Sequence, residues 1–203
     1  MPHIAHLAKD KKLWKIIEKQ EKYILQKRNH VHLEICSSII SQQLSTKVAA
    51  VIYGRFLALF PQKNPSAKEI VAIPFEQLRS IGLSNAKANY VLNVCHFFID
   101  QKLTDAKLHK MDDEELIEYL VQIKGIGRWT AEMILMFTLG REDVFAVDDL
   151  GIQQAMTKLY KLDPENKKEM KGKMILISQK WKPYRTYACR YLWGWKDNGN
   201  QLG

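Results

Sequence analysis

The strongest constraint on this chain is a helical period that runs almost from end to end. In "MDDEELIEYLVQIKGIGRWTAEMILMFTLG", residues 111–140, an acidic first turn opens a helix, glycine ends it, and a second apolar-striped helix runs to Gly140. Residues 75–99 follow the same plan, with a turn at Gly82 and a cap at Ser84, although "SIGLS" has one glycine where "KGIGR" has two. Apolar residues three and four apart also predict a helix through "LWKIIEKQEKYIL" (13–25) and a long helical stretch from His32 to Phe60. The polar "SQQLST" interrupts that stretch, with Ser41, Ser45 and Thr46 able to cap, and Pro61 and Pro65 stop it. Further helices are expected at about 149–161, 167–181 and 184–195, and no strand-like alternation is longer than "DVFAV". The predicted fold class is all-α.

A chain of 203 residues can bury a substantial core as one domain or as two small lobes. No apolar run reaches the length of a membrane span. The opening "MPHIAHLAKDKKLWKII" turns charged too early for a secretory signal, so a cytoplasmic protein is expected. The 31 basic and 22 acidic residues give a formal charge of +9, which favours polyanions, nucleic acid first and an anionic membrane second. A protein that is merely basic would carry the same charge. Cys36, Cys95 and Cys189 are widely spaced in apolar or helical surroundings and read as reduced core residues, with spacing that fits neither zinc nor an iron–sulfur cluster. The histidines show no metal-ligand spacing and read as structural or surface groups.

In "IKGIGRWT" the first helix is expected to end at Lys124, with Gly125 taking the positive φ that closes it. Gly127 would let the N-terminus of the next helix approach a ligand closely, and the unpaired N–H groups there make an anion site. Lys124, Arg128 and Thr130 accompany it, and in a chain of this charge the natural ligand is a nucleic-acid phosphate. A tight helix–helix corner with no ligand has the same local sequence. Twenty residues beyond Trp129, "FAVDDLGI" places Asp148 and Asp149 at the start of another helix, where either could simply be an N-cap.

Taken in order, "GIGRWTA", "VDDLGI" and "WKPYRTYACRYLW" resemble the helix-hairpin-helix (HhH-GPD) DNA glycosylase superfamily, and within it the 3-methyladenine DNA glycosylase II type. The likeness covers nearly the whole chain. It implies a two-lobed all-α fold with the active site in the cleft between lobes. Lobe A would span about 30–140, including the hairpin at 124–128, and lobe B would combine the N-terminal helix with about 141–203. It also implies double-stranded DNA as partner, a damaged nucleotide flipped out of the duplex, no membrane, and a monomer. Compared with longer bacterial relatives, the chain resembles a minimal form without an N-terminal β domain.

By the same resemblance Asp149, the acid followed by x-x-Ile, is the catalytic carboxylate, and Asp148 is a capping or supporting neighbour. A carboxylate suits the reaction, because cleaving an N-glycosidic bond develops positive charge on the sugar and needs a positioned water. Trp129 stands where members that nick the backbone carry a Schiff-base lysine, which implies a monofunctional enzyme without AP lyase activity. The base pocket would draw on Trp129, Trp193 and Met133, the last where close relatives often have tyrosine. Trp181, Trp193 and Trp195 lie in an amphipathic C-terminal helix region, where tryptophan is more often core than ligand. Gln43, with Gln42 and Leu44 beside it, occupies the place of the family's DNA wedge. Ser45 is an alternative wedge, and a glutamine that only satisfies helix ends is the competing reading. Lys47 would meet a phosphate. No cofactor and no iron–sulfur cluster are expected, while a sodium or potassium ion at Gly125–Gly127 could share hairpin carbonyls with a DNA phosphate. The implied substrate is an alkylated purine such as 3-methyladenine, removed in base excision repair. The alternatives are a deaminated or oxidised base, or a non-catalytic DNA-binding module.

Overall fold

The three-and-four spacing becomes thirteen α-helices and one short 3-10 turn in a computed structural model, which describes residues 1–199. The chain opens with α1 (Pro2–Leu7) and α2 (Lys11–Ile17) and continues through α3 (Val31–Ser41), α4 (Thr46–Ala58), α5 (Ala67–Val71) and α6 (Phe75–Ser80). It goes on through α7 (Asn85–Asp100), α8 (Asp105–Lys110), α9 (Asp113–Leu120) and α10 (Arg128–Phe137). After an irregular segment come α11 (Leu150–Tyr160), α12 (Lys167–Ser178), the 3-10 turn Gln179–Trp181 and α13 (Arg185–Asp197). None of these helices is long and apolar enough to cross a membrane.

The helices fall into two compact units. One comprises Arg28–Ile134, and the other Met1–Lys27 with the chain from Leu135 onward, so the boundary lies inside α10. In the first, α7 buries Ala88, Val91, Cys95 and Phe98, one stripe at helical spacing, and packs on α3, whose Ile35, Cys36, Ile39 and Ile40 are fully buried. Cys36 and Cys95 meet in this seam as free thiols, and the hydrogen bond to Cys95 together with burial pushes the Cys36 thiol well above the usual cysteine range.

In the second unit, α11 packs on α13 through Ile152, Ala155, Met156 and Leu159 against Ala188, Leu192 and Trp195. Each large aliphatic side chain withdrawn from water in these stripes contributes about 2 kcal/mol. Asp10 ties the N-terminal helix to this core. Its Oδ1 accepts from the backbone of Lys12 and Leu13, capping α2, while its Oδ2 accepts from the Tyr160 hydroxyl at 2.8 Å and from Trp181 Nε1 at 3.1 Å.

Two expectations about helix ends are corrected. The helix predicted over 13–25 stops at Ile17, because the Gln20 amide donates to the Ile16 carbonyl at 3.0 Å and to the Tyr191 carbonyl at 2.9 Å. Gly194 makes room for that side chain, since a Cβ there would overlap the Gln20 amide. The helix before the glycine hairpin stops at Leu120 and not at Lys124, so Gly125 shapes the hairpin and does not close the helix. The three predicted C-terminal helices and the break at "SQQLST" occur where the pattern placed them.

Candidate functional site

The glycine hairpin, residues 121–127, joins α9 to α10 in the first unit. Its two glycines have different reasons to be glycine. Gly125 has φ +108°, and a Cβ on it would overlap the Tyr90 ring, so both backbone and packing exclude a side chain. A Cβ on Gly127 would meet nothing within 4 Å, so the fold leaves that position open. The Gly127 carbonyl accepts from Ala131 N at 3.1 Å as the helix begins.

The side chains around the hairpin are used differently from the expectation. Arg128 gives both terminal nitrogens to Glu114, at 2.6 and 2.9 Å, and its Nε to Glu132 at 3.2 Å. Its guanidinium therefore straps α10 to α9 instead of being offered to phosphate, and the pair holds the Glu114 carboxyl below the usual carboxylate range. Thr130 is buried, which removes its hydroxyl from any surface contact. Lys124 is exposed, its carbonyl accepting from Asn93 Nδ2 at 3.3 Å. Trp129 remains 43% exposed, an unusual position for an indole, and Met133 is half-buried.

The polar loop between α3 and α4 belongs to the same unit. Gln43 is exposed with φ +58°, between the half-buried Gln42 and Leu44, and Lys47 is exposed on the first turn of α4. Ser45, the alternative wedge, uses its hydroxyl to cap α4 through Val48 N.

In the second unit, the segment 141–149 that delivers the aspartate pair is fixed to the start of α13. Arg185 grips the Asp143 carboxylate through Nε and Nη2, and Thr186 accepts from Val144 N while donating to the Arg141 carbonyl. Asp149 N then bonds to the Ala146 carbonyl, and Gln153 reaches back to the Val147 carbonyl. Asp149 caps α11, its Oδ1 accepting from Ile152 N at 2.8 Å. The same oxygen accepts from Trp193 Nε1 at 2.7 Å. The residue expected to be the reactive carboxylate is therefore also the helix cap. Asp148 does not cap: its exposed carboxylate pairs with Lys171 at 2.6 Å.

Trp193 is half-buried and tilted against Phe137, with ring centroids 5.7 Å apart, and it bonds directly to the acid. Trp181 and Trp195, for which the sequence favoured the core, are core residues.

A family model described as "HhH-GPD superfamily base excision DNA repair protein" matches residues 36–180. The chain belongs to the HhH-GPD superfamily. DNA-3-methyladenine glycosylase 1 of Schizosaccharomyces pombe is 34% identical over 196 residues, an alignment covering 94% of this chain and 84% of that protein. The crystal structure of a DNA-3-methyladenine glycosidase from Bacillus halodurans superimposes with a TM-score of 0.84 at 35% identity, covering 96% of this chain and 89% of that one. That of the S. pombe 3-methyladenine DNA glycosylase in complex with abasic DNA gives a TM-score of 0.79 at 32% identity, with 95% of each chain covered. Against two Bacillus subtilis relatives, the chain spans 55% of their length.

Within this HhH-GPD fold, sequence reasoning missed Gly151 and Tyr90. A Cβ on Gly151 would lie 3.0 Å from Trp193 Cδ1 and 3.1 Å from Asp149 Oδ1, so this glycine leaves the space in which indole and carboxylate meet. A glycine in the first turn of a helix is a readable anomaly, since it weakens the helix unless something needs the room. Tyr90 carries no such local signal.

Proposed function

We propose that this protein is a monofunctional DNA glycosylase that flips an alkylated purine, such as 3-methyladenine, out of duplex DNA and hydrolyses its N-glycosidic bond in base excision repair. The observation that carries the reading is Asp149, whose carboxylate is held by Ile152 N–H and Trp193 Nε1 on one oxygen. A carboxylate whose orientation is set before substrate arrives can stabilise the positive charge that develops on the deoxyribose, and can hold the attacking water. An alkylated purine already carries positive charge and departs without strong general-acid help. The exposed Trp129 indole offers a π face to such a cation, with Met133 one turn further along the same helix.

The hairpin supplies backbone N–H donors at Gly127 and beyond for a DNA phosphate, with the exposed Lys124 and Lys47 adding charge. Its neutral carbonyls suit a hard monovalent cation, sodium or potassium, shared with that phosphate; the reaction needs no other metal or cofactor. Gln43, flanked by Gln42 and Leu44, enters the gap left by the flipped base. An indole at position 129 cannot form a Schiff base, so the strand stays intact. The enzyme acts as a monomer on chromosomal DNA in the cytoplasm.

The test is single-turnover release of 3-methyladenine and 7-methylguanine from methylated duplex. Asp149→Asn is expected to slow release by about 100-fold or more. No nick should precede alkali treatment. Undiminished release by Asp149→Asn, or a nick formed without alkali, would remove the corresponding part of the reading. Bound DNA with no release of any tested base would leave a non-catalytic binding module.

A further inference from the structure

The loop carrying Gln43 is held from outside by a residue that no local pattern marks. α3 ends just before it, and the carbonyls of its last turn need partners. Gln42 N donates to the Ser38 and Ile39 carbonyls at 3.2 and 3.3 Å, and Leu44 N donates to that of Ser41 at 3.2 Å. The Ile40 carbonyl and the Gln42 carbonyl both accept from one ammonium, Lys87 Nζ, at 2.8 and 2.6 Å.

Lys87 sits in the first turn of α7, where its own N–H is taken by the Ser84 cap. A cation there opposes the dipole of α7, yet it faces the negative end of α3. The side chain is half-buried, and loss of solvation lowers its pKa from the ordinary lysine value. At the second clamped carbonyl the chain turns, with Gln42 at φ −51°, ψ 132° and Gln43, just beyond it, at φ +58°. With the Ser41 carbonyl bonded to Leu44 N, this is a type II turn, whose third position ordinarily takes glycine. A glutamine held there in an uncommon backbone region, with its side chain exposed, is the kind of strain that persists only where the surroundings impose it.

We propose that Lys87 is a positioning residue for this loop: its ammonium fixes the carbonyls on either side of Ser41 and so presents Gln43 already formed to the duplex. The inference rests on the reading of Gln43 as the wedge. A loop formed in advance spares the ordering cost that would otherwise fall on base extrusion. Lys87 therefore matters when a lesion has to be drawn from the stack, and not when it is already unpaired.

The experiment compares single-turnover release at saturating enzyme from two duplexes carrying the same methylated purine, one paired and one opposite an abasic position. Lys87→Met is expected to slow release about tenfold on the paired duplex and to leave the other nearly unchanged, with Lys87→Arg restoring most of the rate. Equal slowing on both duplexes would show a general loss of structure and overturn the proposal. Gln43→Ala separates the two readings. Selective slowing by Gln43→Ala beside an unaffected Lys87→Met overturns the role of Lys87 alone. No selective slowing by Gln43→Ala removes the wedge itself, and Lys87 with it. Should Lys87→Met yield no folded protein, Lys87→Gln, which keeps one N–H donor at shorter reach, is read in the same way.

Discussion

Two corners of the same unit turn on a glycine in nearly the same conformation and then diverge. Gly82, between α6 and α7, has φ +106°, and Gly125, between α9 and α10, has φ +108°. After Gly82 the chain places Ser84 at the helix start, and its hydroxyl accepts from Lys87 N at 3.2 Å. After Gly125 it places Gly127, which has no side chain to cap with and open space where one would be. The first corner caps its helix with a side chain; the second has no side chain at position 127 that could do so. Under the proposed function, the corner with the open glycine is the one that meets a DNA phosphate.

The difference between these corners can be broken at several points. Gly125→Ala is expected to destabilise the protein by about 3 kcal/mol, combining a forbidden φ with overlap of the Tyr90 ring. Gly82→Ala, whose added Cβ would find only ordinary contacts at 3.7 Å and beyond, should cost about 1–2 kcal/mol. Urea denaturation measures both, and equal losses would mean that packing adds nothing at the hairpin. Gly127→Asp would install a cap and an anion at the open corner. Duplex affinity should then fall by about 2 kcal/mol at low salt while fold stability holds or rises by a few tenths. Titration of labelled duplex reads the first effect and thermal melting the second.

Ser84→Ala removes the cap at the closed corner and should lower stability by about 1 kcal/mol with duplex affinity unchanged. The smallest effect concerns the strap at the open corner. Glu114→Gln should cost less than about 1 kcal/mol at neutral pH, because the ion pair is largely exposed. The folded-state pKa of Glu114 is depressed by Arg128, so the pair's contribution is present above the ordinary glutamate pKa and disappears as pH falls through the depressed one. Wild type and variant should therefore converge in acid, as chemical denaturation at several pH values would show. The same variant releases Arg128 toward the hairpin, and tighter duplex binding is the accompanying expectation.

What could be read along the chain followed from short-range rules. Helical spacing, the break at "SQQLST", the turn at Gly82, the positive φ of Gly125, and an aspartate at the start of α11 each depend on a few neighbouring residues. The errors have the complementary cause. The helix over 13–25 looked continuous because nothing within it announces that Gln20 will bond to the Tyr191 carbonyl, 171 positions away. Arg128 looked free for phosphate because its partner Glu114 sits on the preceding helix, and Thr130 was grouped with it because its side of α10 was not known.

The sequence by itself determined an all-helical chain, the order of hairpin and acid along it, and the positive φ of Gly125, since periodicity and backbone sterics act over single turns. Only the tertiary structure decided that Asp149 both caps α11 and receives the Trp193 indole, that Gly151 keeps their space open, and that Lys87 closes the end of α3. Those pairings join residues more than forty positions apart in two cases, and their geometry exists only once apolar stripes have packed and brought the helices into register.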